Sequence, residues 1–197
     1  MSHIMRTAGF ACLLPLLLAC HLSMLAGELS PSGYGPGRKL CELACPEIDE
    51  SSGLACSRRY PGVFWTHNDS GDDPRLFAFN RKGEHLATIA VHGAIARDWE
   101  DMASFTLRGK PWLLIGDIGD NAQARPYRTL YLVPEPRLDL RKRGVEATVK
   151  IARAIEYTYA EGPQNCEAVA FDPETRQILV ITKTILAVSY THLTLPT

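Results

Sequence analysis

The chain has 197 residues, of which 46% are hydrophobic, and a formal net charge of -1. That balance offers no basic face for the phosphates of a nucleic acid, so nucleic acid is not an expected partner. The length allows one ordinary domain, with about 145 residues left to build a core once a leader, a tether and a tail are set aside.

Arg6 precedes an apolar run from Ala8 to Ala19, broken by Gly9 and Pro15. Its charge and length are those of a secretory leader, and it is too short to span a bilayer. The run ends Leu17-Leu18-Ala19-Cys20, which resembles the lipobox of bacterial lipoproteins. That resemblance implies cleavage before Cys20, lipidation of its sulfur and a stable lipid anchor to the membrane, because several acyl chains hold where one holds only marginally. The alternative is an ordinary leader cut near Ala26-Gly27. Residues 1–20 are therefore read as signal peptide and 21–45 as tether, its stretch from Leu29 to Lys39 rich in Ser, Gly and Pro. The expected location is outside the cytoplasm of a bacterium, in the periplasm, at the outer membrane or on the cell surface.

Beyond the leader four cysteines remain, Cys41, Cys45, Cys56 and Cys166. An even number in an exported chain permits disulfides. The Cys41-x3-Cys45 spacing also suits a metal, but no matching Cys or His pair follows it, so one structural disulfide near the N-terminus is expected rather than zinc.

From residue 46 to residue 187 a unit recurs. Glu50-Ser51-Ser52-Gly53-Leu54-Ala55, Glu100-Asp101-Met102-Ala103-Ser104-Phe105 and Glu167-Ala168-Val169-Ala170-Phe171-Asp172 each begin with Glu and continue through small and apolar residues. Each is followed by a turn and a second apolar segment: Gly62 to Thr66, Pro111 to Ile115, and Gln177 to Ile181. Polar knots come next: His67-Asn68-Asp69-Ser70-Gly71-Asp72-Asp73, Gly116-Asp117-Ile118-Gly119-Asp120-Asn121 and Thr182-Lys183-Thr184. Third strands are predicted at Arg75–Phe79 and Arg128–Val133, and fourth strands at Glu84–Val91 and Ala147–Tyr159. The fold expected is all-β: about two and a half four-stranded blades of a six- or seven-bladed β-propeller. Residues 188–197 resemble translated sequencing-adapter read-through rather than encoded protein, so His192 is given no role.

The ordered set of motifs, from Glu50 to Gly53, Trp65 to Gly71, Asp98 to Asp101, Gly116 to Asn121 and Glu167-Ala168, resembles a family of exported bacterial β-propeller proteins. That family is distantly similar to the propeller phytases and to NHL-type propellers. Propeller phytases are Ca²⁺-dependent phosphomonoesterases with an acid-lined channel, and the resemblance implies that chemistry only at a distance.

If each repeated Glu begins the innermost strand of a blade, Glu50, Glu100 and Glu167 surround one opening. Hard oxygen ligands gathered there suit Ca²⁺, and Asp69, Asp117 and Asp120 are the next candidate ligands for a metal or a small polar ligand. Neither acidic knot has the spacing of an EF-hand loop. Asp72, Asp73 and Asn121 are read as turn caps that latch blades together. Lys183 either pairs with the carboxylates, which needs no ligand, or binds a phosphate. His67, Asp69 and Ser70 are too close in sequence to form a working triad, and His67 is expected to hydrogen-bond between blades. Trp65 and Trp112 are expected in the core, with Trp99 the exception because acids flank it. Two functions stay open: a binding or scaffold module for Ca²⁺, a small polar ligand or a protein partner, and a phytase-like, metal-dependent phosphoesterase.

Overall fold

The computed structural model describes residues 36–183 and 190–194. The leader, Cys20 and the first part of the tether lie outside the described residues. The described residues from Leu40 onward form one compact unit. Among the described residues there is no helix, as expected of an all-β chain.

The first sheet is built from β1 (Ser51–Cys56), β2 (Val63–Asn68), β3 (Arg75–Asn80) and β4 (His85–His92). The second contains β5 (Trp99–Leu107), β6 (Lys110–Asp117) and β7 (Arg128–Pro134), and is completed by β9 (Arg153–Tyr157). A third holds β10 (Cys166–Asp172), β11 (Gln177–Thr182) and β12 (Tyr190–Thr194). Successive strands pair antiparallel, through connections from the two residues Arg108-Gly109 between β5 and β6 to residues 118–127 between β6 and β7, as short apolar segments punctuated by Gly, Asn and Asp favour. β12 falls within the tail that resembles read-through, and its Leu193 pairs with Ile178.

The segment from Ala147 to Tyr159 is two strands and not the single fourth strand predicted. β8 (Val145–Lys150) runs parallel to β4 as the fifth strand of the first sheet, whereas β9 returns to β7. The division falls at Ile151 and Ala152, whose amides donate in opposite directions, to His92 O (3.1 Å) and Leu132 O (2.8 Å). Each amide finds an acceptor in a different sheet, so the chain cannot continue as one ladder.

Two cores separate the sheets. Trp65, Leu76, Ile89, Trp99, Leu113 and Ile115 are buried in the first, and Leu114, Leu130, Cys166, Val169, Ile178 and Val180 in the second. Trp99, expected to be the exception, is 1% exposed and belongs to the core, since it lies on the inward side of β5 and its indole nitrogen donates to Ile95 O (3.0 Å). Among the described residues no disulfide forms: Cys41, Cys45, Cys56 and Cys166 are free thiols, and Cys166 is buried within the second core.

One irregularity recurs in every sheet. Pairing between the first two strands slips by one residue between Ser51 and Leu54, between Trp99 and Asp101, and between Cys166 and Ala168. Just outside each slip the same backbone bond closes the pair: Asp69 N to Glu50 O (2.9 Å), Ile118 N to Asp98 O (3.1 Å) and Lys183 N to Asn165 O (3.0 Å). These bonds align Glu50 with Asp98 and Asn165, and Ser52 with Glu100 and Glu167. The predicted correspondence of Glu50 with Glu100 and Glu167 is therefore two residues out of step. A bulge turns the side chain it carries away from the regular alternation, and here it does so at Glu100 and Glu167.

Candidate functional site

The first strands of the three sheets lie side by side, β1 against β5 and β5 against β10. Side chains bond across them: Ser52 Oγ donates to Glu100 O (2.6 Å), Ser104 Oγ to Cys56 O (2.6 Å), and Val169 N to Asp101 Oδ2 (2.8 Å). At the end of these strands where the slips occur, Asp69 from the first sheet meets Asp98 and Glu100 from the second. One carboxylate oxygen of each lies within 4.8 Å of the others.

Three carboxylates so close oppose one another's ionisation. Glu100 is pushed up to about 7, by burial first and then by the charges of Glu167, Asp69 and Asp98, with Lys183 opposing. Asp98 is raised too, by burial and then by Asp69, while Arg125 acts against the rise.

The floor of the cluster is Gly119. A Cβ there would collide with Glu100 Oε1 and Asp98 Oδ2, so only glycine lets the two carboxylates settle where they do. Arg125 braces this floor, donating to Gly119 O (2.7 Å) and pairing with Asp117 Oδ1 (3.0 Å). Asp117 in turn accepts the Asp98 amide (3.0 Å).

The predicted residues thus divide. Asp69 and Glu100 converge, joined by Asp98. Glu167 lies beside them, its Oε1 accepting from Lys183 Nζ (3.0 Å) and Asn165 Nδ2 (2.9 Å). Lys183 pairs with a carboxylate, the alternative that needs no ligand. Asp117 stands behind the cluster in an ion pair. Asp120 is 5% exposed and paired with Arg128 at 2.5 Å. Burial acts to raise Asp120, but the Ala124 and Arg125 amides and the Arg128 and Arg125 guanidinium groups outweigh it and hold its carboxyl low. Glu50 is exposed and touches Asp69 through its backbone carbonyl. Its side chain lines a separate hollow with Glu47, Asp49 and Asp72.

The supporting residues act locally. Asp72 pairs with Arg75 (2.8 Å) and accepts from Asn68 Nδ2 (3.0 Å), and Asn121 Oδ1 accepts from Asn165 Nδ2 (3.1 Å). His67 packs across the first two sheets, edge-on to Trp99 with centroids 5.4 Å apart. Its Nδ1 faces Asn68 O (2.8 Å), and burial lowers its pKa, so it is neutral at physiological pH.

A hollow of about 720 Å³ lies beside Thr88, Ala90, Glu146 and Thr148. It gathers no comparable set of like charges, so chemistry and not volume selects the candidate site.

The raised carboxyls fix the sign of a pH dependence. A carboxyl held higher in the fold than in the unfolded chain leaves stability intact below its ordinary value and withdraws it as pH rises toward the folded value. For Glu100 the loss runs from 4.5 to about 7, with Asp98 adding in the same direction. Without divalent cations, raising the pH from about 5.5 to about 8 should lower the melting temperature more in the wild-type protein than in Glu100→Gln. Equal slopes in the two proteins would place the effect elsewhere. Comparison with protein-family models, with curated proteins and with solved structures yields no match, so the site stands on its own geometry.

Proposed function

We propose that the chain is an exported, membrane-anchored β-propeller whose acid-lined mouth holds Ca²⁺ or a small polar ligand, and that it works as a binding or scaffold module. The convergence of Asp69, Asp98 and Glu100 from two different sheets carries this reading. Support for the propeller comes from three sheets in chain order whose first strands are neighbours, with the polar ends of those strands on one side.

The donor set fits a hard cation. All three side chains offer oxygen, Ca²⁺ takes six to eight such ligands, and backbone carbonyls and water ordinarily complete the shell. A bound cation would relieve the repulsion that raises Glu100 and Asp98. Gly119 keeps two of the carboxylates together, so the site can accept charge without rearranging its floor.

The phytase-like phosphoesterase is the second reading. It needs cations for the substrate phosphate as well as carboxylates for the metal. At the mouth Lys183 is already paired with Glu167 and Arg125 with Asp117, which favours binding over hydrolysis.

Saturating Ca²⁺ should raise the melting temperature by about 5–10 °C, the amount expected of a ligand near 100 times its Kd acting on a domain of this size. Asp98→Asn should abolish the gain. Melting that is indifferent to chelator in the wild-type protein would overturn the cation site. Hydrolysis of a simple phosphomonoester by the wild-type chain, lost in Glu100→Gln, would establish the enzyme instead.

A further inference from the structure

The net charge of -1 conceals a separation of charge along the strands. The acids of the mouth stand where β5 and β10 begin and β2 ends, whereas the opposite end of the first two sheets is basic. There Arg58, Arg81, Lys82, Arg108, Lys110 and Arg137 are all exposed. Glu84, Asp139 and Glu135 beside them are engaged: Glu84 pairs with Arg143 (3.1 Å), Asp139 pairs with Arg141 (2.9 Å), and Glu135 is buried.

One turn gathers the basic residues. Residues 57–62, between β1 and β2, lie against the Arg81 side chain, whose Nε a Cβ at Gly62 would meet at 3.8 Å. Tyr60 Oη accepts from Leu138 N (2.9 Å), next to Arg137, and Arg58 Nε donates to Ser104 O (3.0 Å) near the end of β5. Arg59 donates to Glu135 O (3.3 Å), and Glu135 N donates to Pro111 O (3.1 Å), beside Lys110. Turns of both sheets therefore share one surface with an excess of positive charge.

The chain that precedes the fold arrives at this same surface. Ala44 N donates to Gly83 O (2.9 Å), and Gly83, at φ 79°, lies so close to Glu42 O that a Cβ would collide with it. A side chain there would push the incoming chain off the turn between β3 and β4. The chain from Cys20 therefore joins the fold beside Arg81 and Lys82.

We propose that this basic end lies against an anionic lipid surface, so that the acidic mouth faces away from the membrane. The proposal rests on the membrane-anchored reading above. Each basic side chain near anionic headgroups strengthens binding by roughly a factor of five, and an acyl chain with a basic patch is a sufficient pair of signals for stable attachment. The same headgroups repel the carboxylates of the mouth, which turns it outward. The point of entry favours lipid over a nucleic acid, because lipid is what an anchor holds against this end.

The full chain carrying Cys20→Ser, which cannot be acylated at that position, tests the patch. Its partition onto phosphatidylglycerol vesicles should exceed that onto phosphatidylcholine vesicles, and the excess should fall as salt rises. Lys82→Glu with Lys110→Glu should reduce the excess by about 25-fold. Arg97→Glu with Lys150→Glu makes the same change in net charge elsewhere, beside Asp98 and opposite His92 at the far end of β4, and should keep most of it. All four side chains are exposed, so far-UV circular dichroism should be unchanged in both variants. On the anionic vesicle, acetic anhydride should spare Lys82 and modify Lys150. Equal partition onto the two lipids, an equal loss in both double variants, or shielding of Lys150 instead of Lys82 would overturn the proposal. Tighter binding to a DNA duplex in the same salt would overturn it as well. Acyl groups on Cys20 are read separately, from the mass of the wild-type chain made by an exporting bacterium, so failure of the anchor and failure of the patch are told apart.

Discussion

Arg128→Ala should lower the unfolding free energy by about 3–5 kcal/mol, the loss typical of stripping one partner from a buried ion pair. The guanidinium is 1% exposed. It bonds Asp120 Oδ2 at 2.5 Å, Gln164 O at 2.6 Å and Arg125 O at 2.8 Å. Its removal leaves the buried Asp120 carboxylate with the Ala124 and Arg125 amides alone, without its guanidinium partner, and takes a donor from two carbonyls. In urea the midpoint should fall by about 2 M, given the slopes usual for small proteins. The double variant Arg128→Met with Asp120→Leu should recover most of the loss, because an apolar pair carries no desolvation penalty. A drop of less than about 1 kcal/mol in the single variant would mean that water reaches the pair. Asp120 also adds an acid limb: its depressed carboxyl contributes stability that is lost as pH falls through the folded value. Together with Glu100, this places greatest stability between the two limbs.

Glu135→Ala should cost about 3 kcal/mol or more, because it leaves several buried donors without an acceptor at once. The Glu135 residue is 2% exposed, just beyond β7, and its carboxylate reaches into the first sheet. It accepts from Trp65 Nε1 (3.0 Å), from Arg58 N (3.1 Å) and from Ser57 Oγ. Trp65 is fully buried, so its indole nitrogen has no water to turn to. The substitution also frees the start of the excursion that carries β8. Hydrogen exchange at Val145–Lys150 should therefore accelerate more than exchange in β6. Glu135→Gln keeps one acceptor and should lose less. Equal losses for alanine and glutamine would assign the effect to charge rather than to the hydrogen bonds.

Fold class was legible in the sequence because alternating apolar segments between Gly- and Asp-rich turns have few structural solutions. β2, β3 and β7 lie within a residue or two of where that pattern places them. The fate of residues 147–159 was not legible. Pairing with a strand more than fifty residues earlier leaves no local trace, and Ile151 and Ala152 carry no breaker chemistry.

The candidate site was half legible. Asp69 and Glu100 sit in conspicuous acidic runs, but the run Asp98-Trp99-Glu100 hides its geometry. In a regular strand residues two apart share a face, and only the register shows a bulge between Trp99 and Asp101. Once three bulges are aligned, Asp98 takes the place first given to Glu50. The partners of Asp117 and Asp120 were hidden as well, since Arg125 falls between predicted strands and Arg128 at the start of one, and neither position marks an ion pair. A charge count cannot tell a carboxylate awaiting a cation from one that already has an arginine.

The parallel pairing of β8 with β4 has a consequence for the order of assembly. The chain departs from the second sheet after β7, fastens along the outer edge of the first, and comes back to finish the second with β9. Neither sheet has its full set of strands until the other is in place. The two must then melt in a single cooperative step, and during synthesis the edge of β4 stays uncovered until residue 150 has left the ribosome.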